Sequence, residues 1–132
     1  MRRKAREIAV QSLFQSEFAP QLSLKEIISA TELAEYDSES IKFAEDLLAG
    51  IKDKRPQIDS RIQAASQHWK LERMASVDRN ILRLAVYELE FAIDKIQPAI
   101  IINEAIEIAK VFGTQDSASF INGILDQIRK GN

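Results

Sequence analysis

The 132-residue sequence contains no cysteine, one histidine, three prolines and four glycines. Without thiols there is no disulfide framework, no cysteine nucleophile and no zinc finger, and the composition fits a reducing compartment, so a cytoplasmic location is expected. The single imidazole, His68, is expected to face solvent. Ala65 stands three residues before it, so the paired Glu-x-x-His ligands of a di-iron bundle are missing. No Gly-x-Ser-x-Gly elbow occurs, and Gly50, Gly113, Gly123 and Gly131 lie too far apart to form a phosphate-cradling loop. Catalysis, a metal and a cofactor are therefore not expected. Glu7, Gln11 and Ser12 interrupt what would be the apolar part of a signal peptide, and no apolar run reaches the ~18 residues of a membrane span. The chain reads as soluble and unexported, with no membrane partner.

What is present is helical periodicity. Apolar residues recur at steps of three and four almost throughout, which predicts an all-α fold of about seven helices in one domain over residues 1–132. The first runs from about Arg2 to Phe18 and a weaker second from about Leu24 to Leu33. A third, capped by Asp37 or Ser38, buries Ile41, Ala44, Leu47, Leu48 and Ile51 and ends near Lys54. Pro56 suits the first position of a fourth helix, whose buried stripe is Ile58, Ile62, Ala65 and Trp69. The fifth starts at a Ser76 cap, and its apolar residues Ile81, Leu82, Leu84, Ala85, Val86 and Leu89 cover roughly 200° of arc, which predicts the central, most buried helix. A sixth follows Pro98, buries Ile102, Ala105, Ile106, Ala109 and Phe112, and stops at Gly113. Thr114, Asp116 or Ser117 caps a seventh that buries Ile121, Ile124, Leu125 and Ile128.

Charge is unevenly distributed. Arg2, Arg3, Lys4 and Arg6 carry +4 on a chain whose formal net charge is −2, so residues 7–132 carry −6. On a helix Phe14 lies only about 20° from Arg3, with Val10 between them, so cations and an aromatic ring share one stripe. Single-stranded nucleic acid is bound by this pairing: cations neutralise phosphates, and aromatic faces accept unstacked bases. The alternative is that Phe14 is core and the arginines are a solvated helix end. A basic N-terminus opposes the helix dipole, so helix stability does not explain it. In the last helix Phe120 points about 100° away from the core direction set by Ile121, on the same side as Asp116, Gly123 and Gln127. Mid-helix, Gly123 costs up to about 1 kcal/mol relative to Ala, which is most easily understood if another backbone or a ligand comes close.

Four stretches carry a resemblance: R-x-x-A-R-E-x-A-V-Q-x-L-F at Arg2 to Phe14, DLLAGI at Asp46 to Ile51, VDRNILRLAVYEL at Val77 to Leu89, and INEAIEIAKVFG followed by DSASFINGILD. Across essentially its whole length the sequence resembles the NusB family of bacterial transcription antitermination factors. The resemblance implies two packed three-helix subdomains and binding of the single-stranded boxA element of nascent ribosomal RNA leaders. It implies a heterodimer with NusE, a small-subunit ribosomal protein, assembling with other Nus factors on RNA polymerase. The family's arginine-rich motif maps to Arg2, Arg3, Lys4 and Arg6, and its aromatic RNA contact, often Tyr, to Phe14. Further RNA-side residues map to Asp116, Ser117 and Phe120, and the NusE surface maps near Glu72, Asp78 and Arg79. Phe14 lacks the phenolic hydroxyl, so stacking survives where a hydrogen bond would not, and Gln115 stands where the pattern often has an acid. Some members form homodimers that cover the RNA surface, and the Phe14 or Phe120 stripe could serve that end here. Two rivals remain: the N-terminal RNA-binding domain of a ribosomal RNA cytosine methyltransferase, whose Gly-rich cofactor loop is not found in these residues, and a helical protein-interaction module with no RNA role.

Overall fold

The computed structural model describes residues 2–28 and 34–131, apart from the Lys25 side chain. Among the described residues there is no strand, and there are five long helices: α1 (Arg2–Ser16), α2 (Ser38–Ala65), α3 (Ser76–Glu90), α4 (Pro98–Phe112) and α5 (Ser117–Lys130). A single helical turn spans Leu24–Ile27 and a 3₁₀ turn spans Leu71–Arg73. The all-helical expectation holds, but the count of about seven helices is corrected to five among the described residues. The weak second helix is one turn, and the rest of its expected span, residues 29–33, lies outside the described residues.

The third and fourth expected helices are one 28-residue helix, α2, about 42 Å long. Asp37 caps it, accepting the Ser40 N–H at 2.7 Å. Pro56 lies inside it and does not start a new one. Its ring is exposed and its missing N–H leaves the Lys52 carbonyl without a helical donor, while Leu47, Ile51, Ile58 and Ile62 keep one buried stripe in phase across it. Both halves are thereby clamped to the same core. At the C-terminal end the Ser66 hydroxyl donates to the Ile62 carbonyl at 2.8 Å and the chain turns away. Trp69, expected in the buried stripe, is instead 61 % exposed.

The main apolar cluster takes residues from all five long helices, and a smaller one joins Ala5, Ile8, Leu24, Ile28 and Ala44. α3 is the most enclosed, as its wide apolar arc predicts, yet Asn80, Arg83 and Glu88 are buried with Ile81, Leu82, Leu84, Ala85 and Val86. Gly50 lets α2 pass close to α3: a Cβ there would clash with the Tyr87 hydroxyl and ring. α4 stops at Gly113 as expected. Ser76 is the first residue of α3 and not its side-chain cap; its hydroxyl reaches Glu17 instead. Among the described residues no helix is long and apolar enough to cross a membrane.

Candidate nucleic-acid interface

The four cations that open the sequence have different fates. Arg6 is 5 % exposed and makes a two-pronged ion pair with the buried Glu88 of α3, at 2.6 and 2.8 Å. Arg3 forks onto Glu104 of α4 at 3.1 and 2.6 Å, which holds that carboxyl below its ordinary pKa. Arg2 is exposed, stacked 4.6 Å over the Phe43 ring and 4.0 Å from Asp94. Lys4 is exposed and makes no ion pair among the described residues. Two buried or half-buried carboxylates thus offset the unfavourable meeting of cations with the positive end of the α1 dipole. The stripe expected through Val10 does not run along the surface, because Val10 is buried. The solvent-facing line of α1 passes instead through Lys4, Glu7, Gln11, Phe14 and Gln15, at three- and four-residue steps. Phe14 is half-buried and meets Phe18 edge to face at 5.4 Å.

At the start of α5, Asp116 is exposed and makes no side-chain cap bond. Ser117 is buried, and its hydroxyl accepts the Thr114 N–H at 2.9 Å, closing the turn between α4 and α5. Phe120 is half-buried, its ring set edge to face against Trp69 at 6.1 Å with the planes 89° apart. Phe120, expected off the core, packs against the edge of the main apolar cluster, and Trp69 was missed because helical phase was continued past Ala65, where the helix ends. Gly123 shares the Phe120 flank, and a Cβ there would meet nothing within 4 Å.

Of the residues mapped to NusE, Glu72 is exposed. Arg79 turns inward, donating to both Glu17 oxygens at 2.8 and 2.5 Å and to the Met74 carbonyl at 2.6 Å. Burial raises the Glu17 pKa, but hydrogen bonds from Arg79, Ser76 and Asn80 outweigh it and bring the group to about 2. Arg83 extends the network, reaching Glu17 at 3.1 Å and Asp59 at 2.8 and 3.2 Å. The network ties the end of α1 to α2 and the first turns of α3. Asp78, one residue before Arg79, has a buried Oδ1 with no hydrogen-bond partner.

The NusB family model matches residues 3–130. Transcription antitermination protein NusB of Bdellovibrio bacteriovorus is 55 % identical over 131 residues, covering 99 % of this chain and 96 % of the relative. The protein of the same name from Myxococcus xanthus is 40 % identical over 96 % of this chain and 93 % of its own length. Among solved structures, T. maritima NusB superposes with a TM-score of 0.86 at 42 % identity, covering 98 % of this chain and 91 % of that one. A chain from a crystal structure of the antitermination factors NusB and NusE in complex with dsRNA superposes with a TM-score of 0.85 at 26 % identity, covering 99 % of this chain and 97 % of that one.

Proposed function

The chain belongs to the NusB family, and from that premise we propose that it is a non-enzymatic antitermination adaptor that binds boxA RNA of nascent ribosomal RNA leaders together with NusE. Other Nus factors and RNA polymerase are reached through that complex. The observation that carries this reading is the outer line of α1, which begins with the unpaired Lys4 and ends with the half-buried Phe14. Phosphates meet Arg2 and Lys4, with Arg3 held beside them on Glu104, while bases stack on Phe14 and on Phe120 beside Asp116. Arg6 and Ser117 hold the two helix starts in place and do not face the strand. NusE, a basic ribosomal protein, docks on the exposed Glu72 and the partly exposed Asp78, whose negative charge suits a basic partner. Arg79 shapes that surface through Glu17.

The test is fluorescence anisotropy of a labelled boxA RNA against a scrambled one, with the protein alone and with NusE, at two salt concentrations. Preference for boxA that strengthens with NusE and weakens with salt is the expected result. The ion pairs of Arg3 and Arg6 favour a second reading, in which the basic end is structural and the chain is a protein-interaction module. Equal binding of both RNAs in every condition would select it.

A further inference from the structure

We infer that Trp69 is a nucleobase-stacking residue, forming with Phe120 and the cations Lys70 and Arg73 a second RNA contact at the turn after α2. The inference rests on the RNA-binding reading above and extends it to a segment outside the residues that the family pattern maps to RNA. Trp69 is 61 % exposed, and the backbone that carries it is held on both sides by hydrogen bonds. The Gln63 side chain donates to the Trp69 carbonyl at 2.8 Å and accepts the Leu71 N–H at 3.0 Å. The Trp69 N–H donates to the Ser66 carbonyl at 2.6 Å. The turn is therefore braced on both sides of the indole, so little ordering entropy remains to be lost on binding.

The ring geometry leaves room for a base. With the Trp69 and Phe120 planes 89° apart, only one edge-to-face contact is made, and at least one indole face is uncovered by Phe120. Gly123, one turn along α5 from Phe120, adds open space where a side chain would otherwise stand. Lys70 and Arg73 are exposed and make no ion pair among the described residues, unlike Arg3 and Arg6. An aromatic face flanked by unpaired cations suits a single strand, whose bases stack and whose phosphates the cations meet.

Trp69 is the only tryptophan, so its emission reports on this site alone. The experiment titrates the full chain with single-stranded boxA RNA, then with NusE, then with both, following tryptophan emission and RNA anisotropy together. Stacking on a base should quench emission with the same midpoint as the anisotropy. Trp69→Ala should weaken RNA binding roughly 5- to 150-fold with an unchanged melting temperature, and Trp69→Phe should restore most of the loss. Normal anisotropy with unchanged emission and an unaffected Trp69→Ala variant would overturn the inference alone. An emission change with NusE and none with RNA would overturn it and assign Trp69 to the protein partner. No RNA binding by anisotropy would overturn the RNA reading and this inference together.

Discussion

At the scale of single residues, cations that look equivalent in the sequence have separable roles. Arg6 and Glu88 are both nearly inaccessible, so removing one leaves a buried, unpaired charge. Arg6→Ala should cost roughly 3–5 kcal/mol of stability by urea unfolding. Lys4→Ala should change stability by no more than about 0.5 kcal/mol while weakening RNA binding and lowering its salt slope by about 0.7. Equal destabilisation by the two substitutions would contradict the geometry. Glu17 gives a second test, this time in pH. Its folded pKa of about 2 lies below the ordinary 4.5, so its contribution is complete above about pH 4.5 and disappears as pH falls through 2. At pH 7 it amounts to about 3 kcal/mol, given a side chain only 14 % exposed. The stability gap between the wild type and Glu17→Gln, measured by denaturant unfolding, should therefore narrow steadily below about pH 4.5 and close near pH 2. A gap independent of pH would mean that Glu17 acts through packing alone.

At the scale of elements, helical phase was legible and helix ends only where a local cap or stop set them. The wide arc of α3, the Asp37 cap of α2 and the stop at Gly113 follow from local chemistry and were readable. Pro56 misled because its local preference to start a helix is overruled by the buried stripe that spans it, a tertiary effect no window of residues contains. The same limit applies to the candidate site. The pairing of Arg3 with Glu104 and of Arg6 with Glu88 joins residues 101 and 82 apart, and Phe120, which angle counting pointed away from the core, packs against its edge. Trp69 was hidden because the end of α2 depends on the Ser66 hydroxyl turning back to Ile62. α5 offers a test of what its open flank is for. In Gly123→Ala the new methyl meets nothing, so the helix should gain up to about 1 kcal/mol, seen as a raised melting temperature. If RNA lies along this flank, the stabilised variant should bind it more weakly. A variant more stable and equally tight would take the strand off α5.

At the scale of the whole molecule, an acidic protein must present a polyanion with a path along its few unpaired cations. Residues 7–132 carry −6, and two of the four opening cations fork onto the chain's own carboxylates. Arg2 and Lys4 remain outward at one end of α1 and Lys70 and Arg73 beyond the other, where Phe18 shares a cleft with Leu71 and Glu72; Lys52, Lys95 and Arg129 are exposed elsewhere. α1, about 22 Å long, lies between the two groups. The number of phosphates engaged is readable from salt dependence, because each one neutralised on a single strand contributes about −0.7 to the slope of log K against log salt. Contacts confined to Arg2 and Lys4 give about −1.4, and engagement of Lys70 and Arg73 as well gives about −2.8. Replacing Lys70 and Arg73 together by Ala should therefore flatten the slope by about 1.4 and weaken binding at every salt concentration, while leaving the preference for boxA over scrambled RNA largely intact. An unchanged slope would confine the strand to the basic end of α1. The preference itself would then have to arise from Phe14, Gln11 and Gln15 on that helix, since phosphate contacts position a strand and base contacts read it.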